Sequence, residues 1–382
     1  MKILLTAEFY YPSIGGAQKV VSEIAERLAI NKDLKIYIAT SKIYKNQKKK
    51  EIINSVNIRR FNIKGNYIEN FSGEKNSYIK FLINSKFDVI LFYAAQQWTF
   101  DIALDILNDI KSKKIFCPCG FSKINKITYK NYFVKISECI NIFDKVIFHS
   151  NQYQDFFFLK NFLEKKKISI ISNAADNNFF NLSKNKTFND RITFLNVSNL
   201  VPGKRQDLSI FVAFIISFFI RKKINFYFVG NYVQSSNLKK KLIFIVFYYY
   251  LNILRLTFNL IFFKKKIIFL ENLTRDKVID LYKNSNFFLF TSRVECSPIV
   301  IFEALASGLP FFSLKSGNID EICKKTKAGI CKNNFIKLSF AIIKILSNSK
   351  KLTQMSKNGI LNFRMIYNWE KIFKKYENII LK

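Results

Sequence analysis

The chain has 382 residues, of which 49% are hydrophobic and 16% aromatic, with 42 Phe but only 11 Gly and 5 Pro. This length and apolar content exclude a disordered or collagen-like chain and indicate two or three domains, each with its own core. The net charge of +35 attracts anions such as nucleotides, anionic membranes or nucleic acid, but does not choose among them.

The chain alternates apolar strands with helical stretches. Strands are predicted over 2–6, 34–40, 89–93, 114–119 and 145–149, and then over 191–197, 226–230, 267–270, 287–291 and 310–313. Helices are predicted between them, over 17–29 and 100–111 for example. This alternation predicts two doubly wound α/β domains whose strand ends face a cleft between them. The polar stretch 183–190 is the predicted linker between a first domain, 1–185, and a second, 186–365.

The six cysteines form no C-x-x-C pair, and the chain has one histidine, His149. We therefore expect no metal site. A chain with a large core needs no disulfides, so we expect reduced thiols and a cytoplasmic location. The N-terminal apolar run is interrupted at Glu8, too early for a signal peptide, and is predicted to be a buried strand.

Residues 242–263 form an apolar stretch with lysines on both sides, long enough to cross a bilayer. Two features oppose crossing. Tyr248, Asn252, Arg255 and Asn259 fall on one face of a helix, and the segment connects two strands of the same predicted sheet. A buried crossover helix and a helix lying in the membrane interface both remain open.

Residues 291–303 combine a helix start with two carboxylates. A strand ends at Thr291, and Pro298 opens the next helix, so the backbone N–H groups of Ile299 and Val300 offer an anion site. Glu295 and Glu303 would bracket a ligand with hydroxyls on both sides of a diphosphate, as in a sugar nucleotide. Glu303 would then face the ribose and Glu295 the donor sugar. Two solvated glutamates are the alternative.

The stretch from Glu295 to Glu303 resembles the E-x7-E motif of glycosyltransferase family 4, whose members have the GT-B fold of two Rossmann-like domains. Further segments resemble conserved stretches of that family, in the same order along the chain. They are Tyr-Pro-Ser-Ile-Gly-Gly at 11–16, Ser-Asn-Ala-Ala-Asp at 172–176, Asn-Leu-Val-Pro-Gly-Lys-Arg-Gln-Asp-Leu at 199–208, and Glu-Ile at 321–322.

The resemblance implies retaining transfer from a nucleotide-sugar donor, and the absence of a D-x-D pair implies transfer without a metal ion. Gly15 and Gly16 would let the backbone approach phosphate or acceptor. Lys204 would neutralise the diphosphate leaving group, assisted by Arg205. The C-terminal segment 366–382 would pack back on the first domain.

Three positions depart from the family pattern. Asn199 stands where an Arg is usual, Cys119 stands for the His of a Pro-His-Gly sequence, and Cys296 follows Glu295 where a Gly is usual. No histidine adjoins Cys119 in the sequence, so Cys119 and His149 are both expected to have structural roles.

The sequence therefore predicts a nucleotide-sugar-dependent glycosyltransferase, peripheral at the inner face of the cell membrane. It would act on a glycan or lipid-linked acceptor in the synthesis of a surface polysaccharide or glycolipid. A catalytically inactive relative serving as a membrane-docked scaffold is the alternative. Nucleic-acid binding would rest on charge alone and is not predicted.

Overall fold

A computed structural model describes residues 1–13, 15–180, 191–233 and 237–382. Contacts between residues divide the chain into two compact units, residues 1–173 with 370–382, and residues 174–369. The predicted linker 183–190, with the domain boundary at 185/186, lies outside the described residues. Of the predicted C-terminal segment 366–382, residues from Glu370 onward belong to the first unit.

The first unit is built on a largely parallel sheet. Its strands are β1 (Lys2–Thr6), β2 (Lys35–Ser41), β3 (Lys50–Ile53), β4 (Val56–Phe61), β7 (Val89–Tyr93), β8 (Lys113–Cys117), β9 (Lys145–Phe148) and β10 (Ile168–Ile170), with β5 (Ile63–Lys64) and β6 (Ser72–Gly73) in a separate ladder. The strand order is β10-β9-β8-β7-β1-β2-β4-β3, and within this described sheet only β3 is antiparallel to its neighbour.

Helices cover this sheet: α1 (Gly16–Leu28), α2 (Lys75–Asn84), α3 (Trp98–Asp101), α4 (Lys130–Cys139) and α5 (Gln154–Leu159). Every residue of β7 is buried, as expected of a parallel strand covered on both faces. Helix α1 buries the predicted stripe of Val20, Val21, Ile24 and Leu28.

The second unit contains a parallel sheet formed by β11 (Arg191–Val197), β12 (Lys223–Val229), β13 (Lys265–Leu270), β14 (Phe287–Phe290), β15 (Phe311–Leu314) and β16 (Gly329–Lys332). Their order is β13-β12-β11-β14-β15-β16. Its helices are α6 (Gln206–Phe219), α7 (Leu238–Ile261), α8 (Arg275–Asn284), α9 (Ile299–Ala306), α10 (Ile319–Thr326), α11 (Phe335–Leu346) and α12 (Ser349–Asn362). The last helix, α13 (Trp369–Leu381), belongs to the first unit from Glu370 onward.

The predicted strands agree with the observed ones to within a few residues, but the predicted helix over 100–111 is wrong. The chain there forms the short helix α3 and a single 3₁₀ turn, Ala103–Asp105. Phe100, Ile102 and Leu104 are all buried, so their apolar pattern reflects burial on every side rather than one helical face. Strands β3, β4, β10 and β16 were not predicted.

Helix α7 turns its polar face toward the protein. Tyr248 donates a hydrogen bond to Glu271 at 2.8 Å, and the side chain of Asn259 bonds both the N–H and the carbonyl of Ile267 on β13. The Arg255 guanidinium lies 5.3 Å from the ring centroid of Phe269. The polar stripe is therefore a packing surface.

The opposite face of α7 is apolar and exposed. Its residues follow the three- and four-residue spacing of one helical face, and include Val246 at 60%, Ile253 at 61% and Leu260 at 77% exposure. The other exposed members of this apolar stripe are Leu238, Leu242, Tyr249 and Leu256. By length and composition α7 is the one helix in the described residues able to cross a membrane. An ordinary buried crossover helix is excluded by this exposure.

Candidate functional site

The second sheet reverses its winding direction between β11 and β14. From β11 the chain adds β12 and β13 on one side, whereas β14, β15 and β16 follow on the other. The carboxyl ends of β11 and β14 therefore border a crevice of the kind in which doubly wound sheets bind ligands. The loops after these two strands, residues 198–205 and 291–298, form the candidate site.

Lys204 and Glu295 meet in this crevice. Nζ of Lys204 lies 2.6 Å from Oε1 of Glu295, and the hydroxyl of Ser292 donates to the same oxygen at 2.6 Å. Both side chains are partly exposed, Lys204 at 32% and Glu295 at 14%, so a ligand can reach them. The structure thus brings together the two residues that the sequence analysis assigned to catalysis.

Two hydrogen bonds to backbone carbonyls hold the two loops together. The N–H of Arg293 donates to the carbonyl of Gly203 at 3.0 Å, and Thr291 Oγ1 donates to the carbonyl of Arg205 at 2.7 Å. Because these bonds flank Lys204 on both sides, its position is set by the main chain.

Arg205 is engaged within its own loop. Its φ of 52° places it in the left-handed region just before α6, and its Nε and Nη2 donate to the carboxylate of Asp207, each at 3.1 Å. A role for Arg205 at a leaving group requires it to leave this ion pair. Lys204 is the cation that the loop presents beside Glu295.

Helix α9 begins at Ile299, directly after Pro298. The N–H groups of Ile299 and Val300 therefore lie in the first turn, where a helix supplies no internal acceptors and carries partial positive charge. Both residues are half-buried. The predicted anion site therefore coincides with the start of a helix. This helix is eight residues long and directly follows the loop that carries Glu295.

A turn after β15 fixes that loop from a second side. The N–H of Asn318 donates to the carbonyl of Cys296 at 3.0 Å. Gly317 has a φ of +54°, and a Cβ atom on it would lie 2.5 Å from the same carbonyl oxygen. Glycine is required at this position, because any side chain would push the loop away.

Glu303 lies in α9 with its side chain only 5% exposed. Nη2 of Arg275, in the first turn of α8, lies 3.1 Å from Glu303 Oε1. The same guanidinium lies 4.7 Å from the ring centroid of Phe179. Glu303 also interacts with the hydroxyl of Tyr282: burial, reinforced by the Glu303 charge, raises the pKa of Tyr282 well above its ordinary value. Glu303 is therefore a positioned carboxylate, and sequence reasoning missed its partner Arg275.

Gly15 and Gly16 lie in the first unit, at the start of α1. Gly15 has an extended backbone, with φ −168° and ψ 168°, and Gly16 is the first helical residue. The extended torsions are open to any residue, so backbone freedom does not explain Gly15. A Cβ at Gly15 would meet only the end of the flexible Gln18 side chain, which can move aside, so packing does not require glycine here either.

Cys119 and His149 are neighbours in the first unit, contrary to expectation. Sγ of Cys119 lies 3.6 Å from Nε2 of His149, and Sγ of Cys117 lies 3.7 Å from the same nitrogen. Burial alone would raise the pKa of Cys119, but hydrogen bonds from Cys117 and His149 lower it to about 5. No histidine adjoins Cys119 in the sequence, but the fold places His149 beside it, because the contact joins residues at the ends of neighbouring strands, β8 and β9.

Part of the second unit matches a known protein family. Residues 260–361, which contain both Glu295 and Glu303, match the family model "Glycosyl transferases group 1". A probable sucrose-phosphate synthase of Thermosipho melanesiensis is 32% identical over 100 residues, or 26% of this chain. That match spans about a quarter of the relative, 23% of its length.

Solved structures resemble the chain over its whole length. The sucrose-phosphate synthase of Thermosynechococcus elongatus has a TM-score of 0.77 at 15% identity, covering 99% of this chain and 98% of that one. The HepE protein of Anabaena in complex with UDP-glucose has a TM-score of 0.75 at 14% identity, covering 100% and 99%. The chain has the GT-B fold. The predicted fold class, with two Rossmann-like domains, is confirmed, and the match of residues 260–361 to the family model supports glycosyl transfer.

Proposed function

We propose that the chain is a retaining glycosyltransferase of family 4, which moves a sugar from a nucleotide-sugar donor to a glycan or lipid-linked acceptor. The observation that carries this proposal is the Lys204–Glu295 pair beside the start of α9, at the winding reversal of the second sheet. The cation and the helix N-terminus suit the negative charge of a diphosphate, and the carboxylate can accept hydrogen bonds from the hydroxyls of the linked sugar.

Each part of the site has a role in the transfer. As the bond from the sugar to the diphosphate breaks, negative charge grows on the departing phosphate oxygen, and Lys204 and the N–H groups of Ile299 and Val300 stabilise it. Glu295 accepts hydrogen bonds from the donor sugar, and Glu303 accepts them from the ribose. The acceptor hydroxyl attacks on the leaving-group face and gives its proton to the departing phosphate, so configuration is retained without a metal ion at the diphosphate.

The first experiment is thermal unfolding of the purified chain with UDP-, GDP-, ADP- and CMP-sugars. A donor at a hundredfold its dissociation constant stabilises the fold by about 2.7 kcal/mol. Glu303→Gln should weaken binding of that donor by about tenfold or more, whereas Asp280→Asn, a change at an exposed carboxylate of α8, should not. If no nucleotide sugar stabilises the chain, the transferase proposal fails and the inactive scaffold is favoured.

We further propose that the enzyme works at the cytoplasmic face of the membrane, held there by the apolar stripe of α7. The stripe is continuous over the helix, and three exposed lysines, Lys239, Lys240 and Lys241, lie in the first turn of the same helix. Apolar residues that enter the acyl boundary and lysines that meet anionic headgroups are the two features of an interfacial helix. Spanning is opposed by the connection of α7 to the adjacent parallel strands β12 and β13.

Vesicle co-sedimentation tests this contact. Wild-type protein should pellet with phosphatidylglycerol vesicles, and the double change Val246→Glu with Ile253→Glu should abolish pelleting at unchanged melting temperature. Ile127→Glu is the matched control, since Ile127 is 87% exposed in the first unit. Equal loss in the control, or wild-type protein that stays in the supernatant, would refute membrane docking while leaving donor binding untouched.

A further inference from the structure

Three potential metal ligands converge in the first unit. Sγ of Cys117 and Sγ of Cys119 are 3.7 Å apart, and they lie 3.7 Å and 3.6 Å from Nε2 of His149. Cys117 and His149 are buried, and Cys119 is half-buried. These three residues are called here the Cys2His cluster, and no step proposed for the donor site uses them.

The separations match those around a tetrahedral zinc ion. With Zn–S bonds of about 2.3 Å and Zn–N bonds of about 2.0–2.1 Å, a tetrahedral angle sets two sulfurs about 3.8 Å apart and a sulfur and a nitrogen about 3.5 Å apart. The observed 3.7, 3.7 and 3.6 Å fall within about 0.2 Å of these values. One point is therefore within bonding distance of all three atoms.

His149 is oriented as a metal-binding histidine is. Its Nδ1 lies 2.8 Å from the carbonyl of Ile171. A carbonyl only accepts, so Nδ1 carries a proton, and in the neutral imidazole the lone pair is then on Nε2, which lies beside the sulfurs. The Tyr93 hydroxyl lies 3.2 Å from the same Nε2, so its oxygen is a further candidate ligand.

The backbone is bent to bring the two cysteines together. Side chains two residues apart in a strand point the same way but lie about 6.6 Å apart. Here Cys119 has a φ of 57° and Gly120 a φ of 81°, and the N–H of Gly120 donates to the Asp155 carboxylate at 2.8 Å. A non-glycine residue in the left-handed region is strained, and this strained turn sits at the convergence point.

We propose that Cys117, Cys119 and His149 bind one zinc ion, with the fourth coordination position taken by water or by the Tyr93 hydroxyl. Binding is through two thiolates and one neutral imidazole, so thiol protons are released to solvent as the metal enters. The spacing of the cysteines in the sequence argued against a metal site. The fold brings together ligands that this spacing does not, by aligning the ends of β8 and β9.

The test uses full-length protein without a histidine tag, prepared with reductant and then stripped by a chelator. Zinc added back and measured by elemental mass spectrometry should reach one ion per chain. Cobalt(II) used as a probe should give the sulfur-to-metal charge-transfer absorption of a thiolate site. Cys119→Ser and His149→Gln should each weaken metal binding by about 10- to 100-fold or more, whereas Cys139→Ser, in the same unit, should not.

Several results would overturn the proposal. They are wild-type protein that takes up no zinc, a cobalt complex without thiolate absorption, or cluster variants that bind zinc as tightly as wild type. The same holds if freshly prepared protein contains a Cys117–Cys119 disulfide, seen as a two-hydrogen mass loss, and binds no metal after reduction. The cobalt spectrum of the wild type decides the matter even if a variant fails to fold.

Discussion

Nζ of Lys204 lies 2.6 Å from Oε1 of Glu295, although 91 positions separate the two residues in the chain. The pair is partly exposed, so it contributes less than about 1 kcal/mol to folding. A donor diphosphate would compete with Glu295 for the ammonium group and leave the carboxylate available to sugar hydroxyls. The ion pair therefore holds both groups in position although it adds little to the free energy of unfolding.

Replacing Lys204 should lower kcat with little effect on stability. Lys204→Met removes the charge that meets the leaving group and should reduce kcat by about 10²–10³. The melting curve should change by less than about 1 kcal/mol. Steady-state transfer and thermal unfolding measure the two quantities, with Lys332→Met, an exposed lysine on β16, as control. An unchanged kcat would remove Lys204 from the mechanism.

Gly317→Ala should destabilise the second unit. The left-handed φ and the clash with the Cys296 carbonyl together cost about 1–3 kcal/mol, and donor affinity should fall because the loop carrying Glu295 shifts. Gly203→Ala is the matched control, since a Cβ there meets nothing within 4 Å. Urea unfolding of both variants measures the difference in stability. Equal stability would show that the turn after β15 can adjust to a side chain at no cost.

Arg275→Ala should weaken donor binding through Glu303. Removing the guanidinium leaves a buried carboxylate without its ion-pair partner, which costs about 1–3 kcal/mol once the partial exposure of Arg275 is allowed for. Calorimetric titration with the donor should show a raised Kd, partly rescued by Arg275→Lys. A donor Kd equal to wild type in Arg275→Ala would mean that Glu303 does not need this partner.

Glu8 should make the first unit less stable as pH rises. Burial, aided by the charges of Asp101 and Glu69, raises the pKa of Glu8 from 4.5 to about 7. The folded state thus keeps a proton that the unfolded chain loses, so stability falls between about pH 4.5 and about pH 7 and stays lower above that range. Glu8→Gln should be more stable than wild type by up to about 3 kcal/mol at alkaline pH and equal to it in acid.

Denaturant unfolding at several pH values tests this expectation. The change Glu138→Gln, at an exposed glutamate of α4, serves as control. A stability gain for Glu8→Gln that is the same in acid and alkali would show that lost charge is not its cause.

Glu295 was placed at a strand end from the pattern of residues, whereas Lys204 was identified through the family resemblance. Both follow strands of one parallel sheet, whose carboxyl ends lie at one edge, so with that resemblance the sequence was sufficient. It was not sufficient for Arg275, because nothing in the 28 positions before Glu303 marks one basic residue among many as its partner. Cys119 and His149 could have been paired by the same strand-end argument, since each was predicted at the end of a strand.

Helix α7 shows a second limit. Periodicity separated the stripe of Tyr248, Asn252, Arg255 and Asn259 from the apolar residues, but it cannot say which stripe faces the protein. The polar stripe packs inward because its groups bond the edge strand β13 and Glu271. The direction of burial was decided by partners far along the chain, which a local pattern does not contain.

The place of α7 between two neighbouring strands has a geometric consequence for a membrane-bound enzyme. A crossover helix runs roughly antiparallel to the strands that it joins, so a helix lying flat on a bilayer sets β12 and β13 along the plane of the lipid surface. The carboxyl edge of that sheet would then open sideways, neither toward the lipid nor away from it. An acceptor that diffuses laterally in the bilayer would arrive at the level of the site. Its search for the enzyme would then be confined to the two dimensions of the membrane.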